Sequence, residues 1–255
     1  MSASRKSSWL GYWDAPNTSY VSERHKRAHW DVVFAGVRSH LPSRDGVVLD
    51  WGCGDALSAE RMAELAGTVL LYDAAPSTRK RLRELHGTHP GIRILDEAEL
   101  FRVTPGSIDL VVVNSVIQYL GKQDLAAALR LFAHLLKPGG TVLVGDVITP
   151  GTPTLRHVTT FLAFAFRHGF LSAALAGLAR TSISPYRRLR RELGLAAYAP
   201  DEMIALLARN GLAAVKLPAN IAVSCHRASY LARKLGITES APKQNRPSPG
   251  IGGAA

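Results

Sequence analysis

The run Val47-Val48-Leu49-Asp50-Trp51-Gly52-Cys53-Gly54-Asp55-Ala56 constrains this chain more than any other segment. Gly46 to Asp50 is a short β-branched apolar stretch and reads as a buried strand. An acid closes it, and glycines follow at once. Gly52 and Gly54 let the backbone turn sharply and approach a ligand closely. In doubly wound sheets, ligands bind outside the carboxyl ends of strands. A turn built for pyrophosphate would read G-x-G-x-x-G and seat the anion on a helix N-terminus. Here the third glycine position is Leu57, and Asp55 would repel a pyrophosphate.

The rest of the chain sets that strand in a repeating pattern. Ser22 can cap a helix running to about His40, with Val33, Val37 and Leu41 on one face. Further strands are expected at Thr68–Tyr72, Ile92–Leu95, Ile108–Val113 and Thr141–Val147, with helices at Leu57–Leu65, from Pro76 to Gly87, and at Leu125–Leu136. Continuous apolar strands alternating with helices predict a parallel sheet covered on both faces. Thr154–Arg180 reads as one long helical stretch, Tyr186–Leu193 as a basic helix and Asp201–Arg209 as another helix. Leu212–Leu217 and Ala228–Ala232 read as two last strands. The expected fold is therefore an α/β, doubly wound Rossmann-like sheet of seven mostly parallel strands, with a helical cap inserted after the fifth. The expected organisation is an N-terminal arm and helix over 1–41, a ligand-binding core over 42–150, the cap over 151–197, a C-terminal helix and last strands over 198–235, and a disordered tail over 236–255. The tail assignment rests on its Pro, Ser, Gly and Ala content.

The acids at the strand ends narrow the ligand. Asp73 follows the second strand, 19 residues past Gly54, the spacing at which a carboxylate accepts both hydroxyls of a ribose. Asp96-Glu97 follows the third strand, where a carboxylate can accept from an adenine amino group. Each acid alone also reads as an ordinary strand-end turn residue. Together, with Asp50 and Asp55 in the glycine loop, they suit a cationic ligand without phosphates, and S-adenosylmethionine is one.

The segments VVLDWGCGDAL, LYDAAP, IDLVVVNSVIQYL and LLKPGGTVLVGDV resemble successive motifs of class I S-adenosylmethionine-dependent methyltransferases, nearest the small-molecule "type 11" group. The resemblance covers roughly Val47 to Val147. It implies that Gly52 and Gly54 pack against the methionine part of the cofactor, that Asp73 binds the ribose and Asp96 the adenine, and that Asn114 lines the methionine end; Asp50 and Glu97 are cofactor-binding candidates by their strand-end positions. Ala56 stands where many members have glycine. Asn114-Ser115-Val116-Ile117 lacks the Pro-Pro-aromatic motif with which amino-methylating DNA enzymes hold a flipped base.

Methyl transfer from a sulfonium is an in-line displacement, and a hydroxyl acceptor needs a base. His157 is the leading candidate, because it follows the fifth strand in the segment expected to cover the site; Asp146, His25, His29 and Tyr20 also lie near the expected mouth. No metal site is expected, since Cys53 and Cys225 are the only cysteines. Residues 1–150 hold 17 Lys/Arg against 16 Asp/Glu, whereas 151–235 hold 12 against 3. A localised basic surface favours an anionic partner or a membrane face. The reading is a methyltransferase for a small-molecule or lipid-like acceptor. The chain is expected in the cytoplasm, with peripheral contact to the inner face of a membrane as an option. The polar, basic opening residues carry no apolar run that would mark a secretory signal. The alternatives are a non-catalytic cofactor-binding scaffold and, less favoured, a nucleic-acid methyltransferase.

Overall fold

Strand and helix periodicities segregate into a central sheet with helices on both faces in the computed structural model, which describes residues 9–15, 20–151, 154–181 and 185–235. In chain order the elements are α1 (residues 9–14), α2 (Glu23–Arg38), β1 (Val47–Trp51), α3 (Ala59–Ala66), β2 (Thr68–Tyr72), α4 (Pro76–His86), β3 (Ile92–Leu95), α5 (Glu97–Phe101), β4 (Ile108–Asn114), α6 (Lys122–Leu135) and β5 (Leu136–Ile148). There follow α7 (Thr154–Arg167), α8 (Leu171–Thr181), α9 (Pro185–Leu193), α10 (Pro200–Arg209), β6 (Leu212–Lys216) and β7 (Arg227–Lys234).

The seven strands form one sheet in the order β3-β2-β1-β4-β5-β7-β6. Only β7 runs antiparallel to its neighbours. Chain direction across the sheet reverses between β1 and β4, so their carboxyl ends form the topological switch point where this architecture leaves a crevice. Alternate residues of each strand feed two cores. Leu49, Val111 and Val113 pack with Leu125, Leu129 and Phe132 of α6 and Met203 and Leu207 of α10. Val48, Leu110 and Val112 pack with Val33, Phe34 and Val37 of α2 and Met62 of α3. Burial on both faces is why these strands read as unbroken apolar runs rather than alternating ones.

Local signals fix the helix starts. Ser22 accepts from the backbone N–H of His25, as an N-cap should. Asp96 and Glu99 form a reciprocal capping box at α5, and Pro76 and Pro200 open α4 and α10.

Two elements differ from the expectation. The fifth strand begins at Leu136 rather than Thr141, so Pro138-Gly139-Gly140 lies inside it. Leu136 pairs with Ile108 across an irregular register, the setting in which a strand tolerates proline. The stretch expected as a single helix over 154–180 is two helices. Gly169, at φ +69°, ends α7, and the Phe170 N–H reaches back to the Ala165 carbonyl, the 6→1 bond of a Schellman stop. Phe170 then stacks on the His25 ring at 4.9 Å. The proposed tail over 236–255 lies outside the described residues.

Gly169→Ala should destabilise the protein by about 1–2 kcal/mol, because an L side chain resists that φ. Urea unfolding of the parent and the variant measures this directly, and an unchanged midpoint would contradict the assigned stop.

Candidate active site

The crevice is built from the carboxyl end of β1 outward. Gly52 (φ +76°) and Gly54 (φ +56°) turn the chain out of the strand, and the Gly52 and Cys53 N–H groups donate to the Tyr72 carbonyl at the end of β2. The two glycines serve different needs. A Cβ on Gly52 would lie 2.5 Å from Val116 Cγ2, so that position is closed by the protein itself. A Cβ on Gly54 would meet nothing within 4 Å, so that side of the loop is open space. Ala56 also adopts a positive φ, +43°, and is fully buried. The glycine common at this position in related motifs therefore answers a backbone demand that alanine meets under strain.

Asp73 holds this loop in place. Its Oδ2 accepts from the Gly54 N–H at 3.0 Å and its Oδ1 from the Ala75 N–H at 2.9 Å. Burial raises its carboxyl above the ordinary range, with the two backbone donors and the nearby Arg79 and Arg81 opposing. Asp50 is buried more fully. No hydrogen bond from a described residue reaches its carboxylate, and burial, aided by the Asp73 charge, pushes it up to about 7. Asn114 lines the same cavity as Asp50 and Gly52, and its Oδ1 is buried with no partner among the described residues. An unpartnered buried acceptor beside an unpaired carboxylate is unfavourable unless a ligand supplies donors or positive charge.

The remaining acids divide. Asp55 forms ion pairs with Lys26 and Arg81, both at 2.8 Å, so its charge is answered within the protein. Asp96 spends Oδ1 on the Glu99 N–H. Glu97 is exposed on the first turn of α5, and its charge adds to burial in raising the Tyr72 phenol.

The N-terminal helix closes one side, a feature the sequence signalled only through its aromatic residues. Asp14 Oδ1 accepts from the Ser77 N–H at the start of α4, and Trp9 and Trp13 pack on Tyr119, 4.7 and 5.5 Å away. Ser77 follows β2 and Tyr119 follows β4, with β1 between them in the sheet, so α1 crosses the end of β1.

Beyond β4 and β5 lies a second polar group. Ser115 (φ +59°) and Asp146 (φ +62°) are both strained non-glycine residues at strand ends. Asp146 accepts from Ser115 Oγ at 2.7 Å and Asn220 Nδ2 at 3.1 Å and is paired with Arg227. Serine normally avoids a positive φ and aspartate tolerates it more readily, but neither residue type by itself marks such a position in a sequence. His157 on α7 lies 3.4 Å from Ser224 Oγ, beside His226. Burial, followed by the Arg227, His226 and Arg190 charges, lowers its pKa.

Comparison with known proteins agrees with this geometry. Residues 49–144 match the methyltransferase domain family. That segment is similar to the methyltransferase domains of this family. A ubiquinone biosynthesis O-methyltransferase of Xanthomonas campestris pv. campestris is 34% identical over 140 residues, covering 53% of this chain and 56% of that protein. The chain thus matches just over half the length of this relative. Two solved structures share the fold. The DhpI complex with S-adenosylhomocysteine superposes with a TM-score of 0.59 at 16% identity, covering 92% of this chain and 98% of that one. The N-methyltransferase NodS of Bradyrhizobium japonicum WM9 with the same ligand gives 0.53 at 18%, covering 90% and 97%.

The two loop glycines make opposite predictions for this domain. Gly54→Val should abolish calorimetric binding of S-adenosylhomocysteine while the protein stays folded. Gly52→Val should lower stability by about 1–3 kcal/mol through the clash with Val116. Parent-like affinity in Gly54→Val would show that the open side of the loop is not ligand space.

Asp50 makes a pH prediction. Its folded pKa lies above the ordinary carboxylate value, so its contribution to stability is present at low pH and lost as pH rises through about 7. A cationic ligand favours the carboxylate. Binding of S-adenosylmethionine should therefore release protons between about pH 5 and 7 and release none above about pH 8. Calorimetry in buffers of different ionisation enthalpy reads this release, and Asp50→Asn should remove it.

Proposed function

We propose that this chain transfers the methyl group of S-adenosylmethionine to a hydroxyl of a small or lipid-like acceptor. The observation that carries the reading is the convergence on one cavity of the Asp50 carboxylate, the unpartnered Asn114 Oδ1 and the turn at Gly52. Asp50 and Asn114 suit the ammonium group of the methionine part, Asp73 the ribose, and Asp96 with Glu97 the adenine. The sulfonium supplies an activated methyl carbon. The chain's own residues hold the reactants in line and exclude water, which provides much of the rate in such a displacement.

The hydroxyl as acceptor atom is taken over from the O-methyltransferase relatives. The character of the acceptor follows from the helices between β5 and α10, which in this reading form a cap. Phe166 of α7 and Leu175 of α8 are exposed large apolar residues, and Arg167 and His168 are exposed beside Phe166. Arg190 and Arg191 of α9 are exposed as well, and Arg190 is close enough to His157 to depress it. Apolar side chains flanked by cations suit an anionic or membrane-borne acceptor. Among the described residues no helix is long and apolar enough to cross a membrane, so any contact of these helices with a bilayer would be peripheral.

Incubation with radiolabelled methyl donor and fractionated cell extract, lipids included, tests the activity. Label should enter a small or lipid-like product, and no transfer into any fraction would count against the proposal. Replacing Arg187, Arg188, Arg190 and Arg191 by Gln should leave cofactor affinity unchanged and weaken sedimentation with anionic liposomes, each lost cation contributing about 1 kcal/mol. If the parent does not bind such liposomes at low salt, the membrane part of the proposal fails.

A further inference from the structure

Arg227 opens β7, and its partner across the ladder is Ile148, the last residue of β5. Its side chain is thereby rooted at the carboxyl edge of the sheet. A line of contacts joins it to the cofactor cavity. Asn114 lines that cavity, and Ser115 follows it in the chain. Ser115 Oγ donates to Asp146 Oδ2, and the same carboxylate is paired with Arg227 Nη1. Trp30 and Val33 of α2 line the cavity as well. The Asp146–Arg227 pair is close enough to His29, on the same helix, to act on its charge. The guanidinium therefore lies on the cofactor's side of the sheet.

Asp146 pins one side of that guanidinium and has nothing left for the other. Its Oδ2 serves Ser115 and Arg227, and its Oδ1 accepts from Asn220 Nδ2 at 3.1 Å. Its backbone N–H donates to Asn220 Oδ1, which Ser229 Oγ also holds at 2.7 Å. Ser115 and Asp146 both adopt positive φ within this network, and backbone strain of that kind collects at functional sites. The opposite side of the guanidinium carries the parallel Nε–H and Nη2–H donors. That fork matches two oxygens of a carboxylate or a phosphate. Nε is buried with no partner among the described residues, and Nη2 makes no hydrogen bond to one. A buried donor left in this state is unfavourable unless a ligand supplies the acceptor.

The surrounding charge is mostly of one sign. Arg227, His226 and Arg190 all act on His157 of α7, and Asp146 is the single acid that does. The His157 and His226 rings lie 6.1 Å apart, and Ser224 Oγ is 3.4 Å from His157 Nδ1. Asp146 is answered by Arg227, which leaves Arg190 as excess positive charge.

We propose that the Nε–Nη2 edge of Arg227 binds an anionic oxygen group of the acceptor, a carboxylate or a phosphate, with Arg190 of α9 adding its charge. The proposal rests on the methyl-transfer reading above and gives the acceptor a handle apart from the oxygen that is methylated. Bidentate pairing fixes orientation as well as position, and an in-line displacement requires both of its acceptor. It also makes Arg227 a specificity-determining residue. An analogue with a neutral amide in place of the anionic group would leave the fork poorly paired, and sites built around a buried polar group reject such analogues.

Arginine Nε–H signals in the nuclear magnetic resonance spectrum of the S-adenosylhomocysteine-saturated protein read the site directly. Sodium acetate and inorganic phosphate are titrated separately, with the ionic strength held constant by sodium chloride. One Nε–H signal should shift saturably, and that signal should be missing from Arg227→Lys. The lysine keeps the charge that answers Asp146 but has no fork. Arg227→Lys should therefore bind S-adenosylhomocysteine as the parent does and bind the anion about tenfold more weakly, read from backbone N–H shifts. A purely structural ion pair to Asp146 would leave that affinity unchanged. Tighter acetate assigns a carboxylate-bearing acceptor, and tighter phosphate a phosphate-bearing one. Should Arg227→Lys not fold, Arg190→Gln, at an exposed position, should bind the anion several-fold more weakly. No saturable shift in the parent, or parent-like anion affinity in the variant that folds, would overturn the assignment. Failure of the parent to bind S-adenosylhomocysteine would instead overturn the methyl-transfer reading on which it rests.

Discussion

Asp73 ties the end of β2 to the loop that follows β1, accepting from the Gly54 N–H at 3.0 Å and the Ala75 N–H at 2.9 Å. Hydrogen bonds to a carboxylate are worth about 1.5–3 kcal/mol each. Here they hold a glycine at positive φ beside open space. The same constraint fixes the neighbours. With the loop held by Asp73 and by the Tyr72 carbonyl, Asp50 is sealed beneath it and Asn114 faces it from β4. A site of this kind is arranged before its ligand arrives, and the cost is a carboxylate and an amide oxygen with no partner of their own.

The cofactor half was legible in the sequence because its chemistry is local. The strand, the two glycines and the acid 19 residues on are contiguous signals, and each has one backbone reading. The alternation of apolar runs gave the sheet, and Ser22, Pro76 and Gly87 marked helix ends where the structure has them. Two inferences went astray for physical reasons. Asp55 looked available to a cationic ligand, but Lys26 from α2 and Arg81 from α4 neutralise it, and that contact joins residues far apart in the chain. The apolar content of 154–180 suggested one helix, whereas Gly169 supplies a left-handed stop that composition outweighed.

The acceptor half was far less legible. Ser115 and Asp146 take positive φ without being glycine, and neither lies in a turn motif that would mark it in the sequence. Asp146 is held by Asn220 and Arg227, and Ser229 Oγ in turn donates to Asn220 Oδ1, all in the last segment of the chain. His25 was one of several histidines in the sequence, and only its stacking on Phe170 at the α7–α8 turn marks it as structural. Tertiary contact, rather than motif, decides which polar group is structural and which is left without a partner.

The central claim is that the carboxyl end of β1 binds S-adenosylmethionine through Asp50, Asn114 and Asp73. A crystal structure of the protein with S-adenosylhomocysteine tests it most directly. The account predicts the ribose hydroxyls on Asp73, the ammonium group beside Asp50 and Asn114 Oδ1, and the ligand against the open face of Gly54. Ligand density elsewhere on the chain, or a complex in which Asp50 and Asn114 still lack partners, would contradict it.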